Sequence, residues 1–323
     1  DECLLKNMNV DKIKLWWFND NNFGDQIGPY LVHKLTGKKV VYVEHLRLKT
    51  DNFFLLIRQL VALIFRNGFI TSFRILYQTL IVNKLFCVGS IIHRANYTCH
   101  VWGSGLIEEK DSIHTRNVYA VRGPVTKSKI SNSINSNIAV GDPAILLPLV
   151  YNSPKSLKYK VGIIPHVVDY DNVVSRVYNK SILIIDIKTK DVEKIIDEIC
   201  SCDVIVSSSL HGLIVAHAYR IPALWFSFSD KLVGDNVKFR DYFLSVELPL
   251  YTAFSYESVN LSSIEGVCSF FSKRRCYSLP SGKILIERSN DLIAKAPFDI
   301  LEDKLRLLKN LIEEKCYENH RFN

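Results

Sequence analysis

Short apolar runs of β-forming residues recur along most of the chain, with helical stretches between them. No other feature limits the fold as much. In the first half the runs are KLWWF (14–18), KVVYV (39–43), LFCVGSI (85–91), HVWGSG (100–105), NVYAVRG (117–123) and IAVGD (138–142). In the second half they are VGIIPH (161–166), ILIIDI (182–187), DVIVSSS (203–209) and ALWFSF (223–228). A strand with one wet face alternates apolar and polar residues, whereas a strand covered on both faces reads as a continuous apolar run. The helical stretches supply that cover and the crossovers that parallel pairing needs. The expected fold is therefore α/β: two Rossmann-like domains with parallel sheets and a cleft between them, plus a C-terminal helix.

A length of 323 residues exceeds one ordinary core and suits two domains. The basic, Pro-containing stretch YNSPKSLKYK (151–160) reads as the link. The expected division is 8–150, 155–290 and a tail from 291 to 323. That tail carries an amphipathic helix with Ile300, Leu301, Leu305, Leu308 and Ile312 on one side. Met8 is the sole methionine, so translation is expected to begin there, and residues 1–7 are left out of the fold argument.

Residues 51–82 break the alternation. The stretch is apolar but interrupted by Arg58, Arg66 and Arg74, with Asn67-Gly68 marking a turn. A membrane span needs roughly 20 apolar residues, so a helical hairpin is expected instead. Two readings follow: a helix pair covering the first sheet, or an interfacial membrane contact. Arg47, Lys49 and Lys84 extend the basic character, and Asp51 alone opposes it.

The net charge of +8 suits anionic partners. No nucleic-acid signature accompanies it, so nucleic acid is not expected. The eight cysteines are scattered without a C-x-x-C pair, which points to reduced thiols rather than a metal site. With no secretory leader pattern, a cytoplasmic location is expected.

In open parallel sheets, ligands bind beyond the carboxyl ends of the strands. Polar residues 19–22 and a helix starting near Asp25 follow the first run. Gly103-Ser104-Gly105 follow the fourth, where backbone N–H groups could approach an anion. Arg122 ends the fifth beside a helix start, a placement suited to a carboxylate or phosphate, whereas Asp142 after the sixth reads as an N-cap. VGIIP ends at His166, and DVIV ends at Ser207, Ser208, Ser209, Leu210 and His211. The serines and the helix N-terminus are read as an anion site, with His211 moving a proton or pairing with the anion. His217, inside the following helix, reads as a packing residue. No P-loop, dinucleotide fingerprint or G-x-S-x-G elbow is present.

The ordered set NNFGDQIGPYL, VWGSGLI, YAVRGPVT, VGDPAILLP, VGIIPH, DVIVSSSLHGLIVAHAYRIPALW and DNVKFRDYFLSV resembles the polysaccharide pyruvyltransferase family over residues 14–246. The resemblance implies a glycosyltransferase-B-like fold and transfer of a pyruvyl group from phosphoenolpyruvate to a sugar, usually as a cyclic ketal. It implies no resident cofactor, phosphoenolpyruvate being a co-substrate. The family's catalytic histidine falls on His211 and its strand-tip arginine on Arg122. Many members carry arginine two residues before the histidine, where this chain has Ser209; Ser209 itself, His166, Lys231 or Lys238 would replace that contact.

The expected donor site is thus Ser208, Ser209, Leu210, Gly103, Ser104, Gly105 and His166. The expected acceptor site is Asn22, Asp25 and Lys238. The acceptor is a sugar of a surface polysaccharide or its lipid-linked precursor, with the hairpin resting on the membrane as a peripheral contact. The alternative enzyme on this architecture is a nucleotide-sugar glycosyltransferase. A non-catalytic partner in polysaccharide assembly is the third reading.

Overall fold

The computed structural model describes residues 11–48, 53–130, 137–154, 156–177, 179–231 and 234–320. Met8, Lys49, Asp51 and Lys155 lie outside these residues. Strands β1 (Lys12–Leu15), β2 (Lys39–Tyr42), β3 (Lys84–Phe86), β4 (Cys99–Trp102), β5 (Asn117–Val121) and β6 (Ala139–Val140) form a first sheet in the order β2-β1-β3-β4-β5-β6. Strands β7 (Tyr159–Ile164), β8 (Ile182–Ile184), β9 (Cys202–Ser207), β10 (Ala223–Ser227) and β11 (Phe254–Ser255) form a second, in the order β11-β10-β9-β7-β8. Every pairing is parallel. This is the two-sheet Rossmann-like architecture that the apolar runs imply.

The helices are α1 (Phe23–Thr36), α2 (Phe53–Asn67), α3 (Phe69–Leu80), α4 (Pro124–Ser128), α5 (Tyr170–Val174), α6 (Val192–Cys200), α7 (Leu210–Ala218), α8 (Val237–Ser245), α9 (Ile264–Ser272), α10 (Arg275–Ser278), α11 (Gly282–Ala294) and α12 (Glu302–His320). Helix α7 is buried on nearly every side and packs against the 3₁₀ segment Pro143–Leu149, which Asp142 caps through the Ala144 N–H. Helix α1 packs against α6, and Phe23 N–H donates to the Ile187 carbonyl at 2.9 Å. One apolar cluster consequently runs from Leu15 and Phe23 of the first half to Ile164 and Leu213 of the second. Apolar burial of this kind, at roughly 25 cal/mol per Å², fixes the two sheets against each other. His217 is buried, and its ring stacks on Tyr242, as its place inside a helix suggests.

The expected C-terminal helix is α12, and α11, which packs on β6, precedes it. Leu301, just before α12, and Leu305, within it, are 40% and 41% exposed, while Leu308 is buried. In the hairpin, α3 buries Ser72, Ile75 and Thr79, with Ser72 Oγ donating to the Leu63 carbonyl of α2, whereas α2 buries no residue, so the pair does not cover the sheet as a unit. Lys84 is also not a surface charge. It is fully buried, and its Nζ donates to the carbonyls of Gln78, Thr79 and Val82 and to Thr98 Oγ1.

Candidate active site

Each strand order reverses once, between β1 and β3 in the first sheet and between β7 and β9 in the second. Diverging crossovers at such a point leave a crevice beyond the strand tips. The two crevices meet in one cavity of about 280 Å³. Its wall takes Phe18, Asn22 and Asp25 from beyond β1, and Gly89, Ser90 and Ile91 from beyond β3. From the second half come His166 beyond β7, Ser209, Leu210 and His211 beyond β9, and Lys231 and Lys238.

His211 stands in the first turn of α7, where strand β9 has just ended. Ser209 caps that helix, its Oγ accepting the Gly212 N–H at 3.4 Å. The imidazole then faces α1 across the domain junction, directly over Gly24. A Cβ at position 24 would lie 2.4 Å from His211 Nδ1, so only glycine leaves the ring its place. The ring lines the cavity, while Nε2 is buried without a hydrogen-bond partner among the described residues. Burial, aided by the charges of Arg122 and Lys238, lowers its pKa to about 3. The free protein therefore holds a neutral imidazole at the cavity.

The hydroxyls beside it serve the backbone. Ser207 Oγ donates to the Ile164 and Ser209 carbonyls, at 3.1 and 2.9 Å. Ser208 is buried; its Oγ accepts the His166 N–H at 2.8 Å, which fixes the tip of β7. Of the serines, Ser209 alone lines the cavity. The cluster builds the strand tips that present His166, Ser209, Leu210 and His211, and contributes one hydroxyl to the cavity itself.

Arg122 lies behind the wall. It is 0% exposed and pairs with buried Asp241 at 3.3 Å. Its Nη1 donates to Ser90 Oγ and its Nη2 to the Leu106 carbonyl, each at 2.6 Å. Asp241 also accepts the N–H and Oγ1 hydrogens of Thr126. The guanidinium thus reaches the cavity only through Ser90. Gly103, Ser104 and Gly105 are likewise behind it. Ser104 Oγ donates to the Gly89 carbonyl at 2.8 Å and accepts the Ile91 N–H, bracing the 89–91 edge. A Cβ on Gly105 would sit 2.4 Å from the Arg122 guanidinium carbon, so the glycine makes room for the arginine rather than for a ligand.

Asn22 and Asp25 flank the start of α1. Asn22 caps it through the Gly24 N–H at 3.0 Å. The Asp25 carboxyl group has no hydrogen bond or ion pair among the described residues, and burial together with the Asp20 charge raises its pKa to about 7. Opposite stand His166, whose pKa burial lowers, and Lys238, lowered to about 8 by burial and Arg122. Lys238 has no polar partner among the described residues; its ammonium lies over the Phe239 ring. The cavity therefore gathers two ammonium groups and two imidazoles around one carboxyl group that keeps its proton close to neutrality.

The Asp25 shift has a checkable consequence. A carboxyl group whose folded pKa, about 7, exceeds the ordinary aspartate value of 3.8 holds a proton that the unfolded chain has released. Stability then falls as pH rises through that window, and the loss is complete above it. Asp25→Asn removes the effect. The variant is expected to melt higher than wild type at pH 8 and alike at pH 4, in calorimetric scans at both values.

The tip rule finds Asn22, Asp25, His166, Ser209, Leu210 and His211. Lys231 and Lys238, expected as replacements for the family arginine, both line the cavity; Phe18, Gly89 and Ser90 were not among the expected site residues, although Gly89-Ser90 end the LFCVGSI run and the same rule covers them. Among the described residues, no group of three or more His, Cys, Asp or Glu side chains is placed to hold a metal ion. No described helix is long and apolar enough to cross a membrane.

Comparison with known proteins agrees with the geometry. The family model for polysaccharide pyruvyl transferase matches residues 22–230, from the Asn22 cap through α7 and β10. The uncharacterized protein L143 of Acanthamoeba polyphaga mimivirus is 36% identical over 238 residues, covering 70% of this chain and 71% of that protein. No solved structure matches the chain. On the family match the chain belongs to the polysaccharide pyruvyl transferases and is a transferase enzyme.

Proposed function

We propose that the protein transfers a pyruvyl group from phosphoenolpyruvate to a sugar of a surface polysaccharide or its lipid-linked precursor, closing a pyruvate ketal and releasing phosphate. In this reading it works as a peripheral protein at the inner face of the membrane. The supporting observation is the cavity around His211, where two lysines and two imidazoles meet. Lys231, Lys238, His166 and His211 converge there, and among the described residues the Lys238 ammonium and His211 Nε2 have no hydrogen-bond partner. Phosphoenolpyruvate carries a carboxylate and a phosphate, which need cations and N–H donors of this kind.

The chemistry follows from the charge states. A dianion placed beside neutral His211 raises the imidazole pKa, so the donor brings the proton with it. His211 then protonates the methylene carbon, turning it into a methyl group. One acceptor hydroxyl oxygen bonds to the central carbon while its proton passes to Asp25, in carboxylate form for part of the population near pH 7. The bond from the central carbon to the phosphate oxygen breaks, and phosphate leaves with the electron pair. A second hydroxyl bonds to the same carbon, passes its proton to the departed phosphate and closes the ketal. Lys231 and Lys238 stabilise the charge on the departing phosphate. Arg122 acts at one remove, by holding Ser90 at the cavity edge.

The test is saccharide-dependent phosphate release from phosphoenolpyruvate, with the product examined by proton NMR. A ketal methyl signal that grows with phosphate is expected. Consumption of a nucleotide sugar, with phosphoenolpyruvate untouched, would overturn the reading.

A further inference from the structure

Among the described residues, the hairpin α2–α3 carries a dense group of exposed large apolar side chains. Phe65 is 87% exposed, Ile70 85%, Phe69 71%, Phe53 69% and Phe73 66%. Phe53, Ile57, Val61, Ile64 and Phe65 follow helical spacing along one side of α2. Phe69, Ile70, Phe73 and Tyr77 do the same on α3, opposite the buried Ser72, Ile75 and Thr79 face. Exposed apolar area of this extent marks an interaction surface.

Charge selects the occupant. Residues 53–81 contain Arg58, Arg66 and Arg74 and no acidic residue. All three arginines are exposed, and none forms an ion pair among the described residues. A second copy of this hairpin would bring arginines against arginines with no carboxylate between them. An anionic headgroup layer offers them phosphates and takes the phenylalanines into the acyl boundary. At 15 and 12 residues the helices are too short to cross a bilayer and suited to lying in its surface.

The base of the hairpin is fixed. Lys84 Nζ holds the last carbonyls of α3, the Glu44 N–H donates to Gln78 Oε1 at 2.9 Å, and the Leu46 N–H donates to Thr79 Oγ1 at 3.1 Å. His45, between those anchors, donates from Nε2 to the Arg94 carbonyl at 2.7 Å. The Arg94 guanidinium lies 5.0 Å over the ring of Phe18, which lines the cavity. The surface is therefore tied by short contacts to the wall of the active site.

We propose that α2–α3 is a docking surface for the headgroup layer of an anionic bilayer, holding the catalytic cavity at the membrane where a lipid-carried acceptor is presented. This deepens the proposed function, on which it rests for the acceptor alone.

The experiment is vesicle co-sedimentation of the full chain. Vesicles of phosphatidylcholine alone are compared with vesicles that also contain phosphatidylglycerol, at low and high salt. Binding to the anionic vesicles is expected, weakened by salt. The variant Phe65→Asp/Ile70→Asp is expected to bind more than about tenfold more weakly. The variant Arg58→Gln/Arg66→Gln/Arg74→Gln is expected to lose about 100-fold on anionic vesicles and little on neutral ones. The rise in melting midpoint with phosphoenolpyruvate, measured on the same samples, reports the fold and the donor site separately. A chain that phosphoenolpyruvate stabilises but that ignores anionic vesicles overturns the inference and leaves the donor reading standing. Binding that both variants retain overturns it too, as does self-association through the hairpin without vesicle binding. Vesicle binding without stabilisation by phosphoenolpyruvate upholds the surface and removes the proposed donor.

Discussion

His211→Ala is expected to lower pyruvyl transfer by about 10²–10⁴-fold, the usual contribution of a positioned proton-transfer group. Its melting midpoint should stay near that of wild type, because Nε2 has no internal partner to orphan. A structural histidine would show the opposite balance. The neighbouring glycine gives an independent check on the same ring. Gly24→Ala places a methyl carbon 2.4 Å from the position of His211 Nδ1, a distance at which one of them must move. Activity should fall nearly as far as in His211→Ala, although the catalytic side chain is still present. In the double variant the methyl group has space, so its activity should be no lower than that of His211→Ala alone. Such non-additivity is the mark of two residues acting at one point. Single-turnover phosphate release on the three variants would measure it.

Arg122→Ala should act mainly on stability. Removing one partner of a buried ion pair leaves the other charge stranded, a cost of about 3–5 kcal/mol. Here the stranded group is Asp241, fully buried and held by Thr126 and Arg122. For a chain of this size the midpoint should drop by on the order of 10 °C. Replacing both partners, as in Arg122→Leu/Asp241→Leu, should recover part of that loss. If Arg122→Ala instead melted like wild type and failed only to respond to phosphoenolpyruvate, the arginine would be a direct ligand contact.

The sequence carries some of this arrangement openly and hides the rest, for identifiable reasons. The strands are legible because burial on both faces demands unbroken apolar runs, and the polar residues that end those runs mark the cavity. His211 is legible for that reason, and so are Asn22 and His166. What Arg122 does is hidden: its position at a strand tip is local, but its burial depends on Asp241, which arrives with a helix of the other half. The serines mislead in a similar way, since Ser208 spends its hydroxyl on the His166 backbone across the sheet. Lys84 reads as surface charge until α3 is seen to end over it. The raised Asp25 pKa comes from burial at the domain junction and from Asp20, and neither can be read from the residues around it. Helix α2 looks like sheet cover because apolar periodicity says which face avoids water, not what covers it.

Thermal melting with a ligand panel tests the central claim most directly: phosphoenolpyruvate against nucleotide sugars, on wild type and His211→Ala. A ligand at 100 times its dissociation constant stabilises the folded state by about 2.7 kcal/mol, enough for a clear rise in midpoint. The account predicts that phosphoenolpyruvate raises the midpoint of wild type, that nucleotide sugars do not, and that the rise shrinks in His211→Ala. A rise with a nucleotide sugar and none with phosphoenolpyruvate would contradict it.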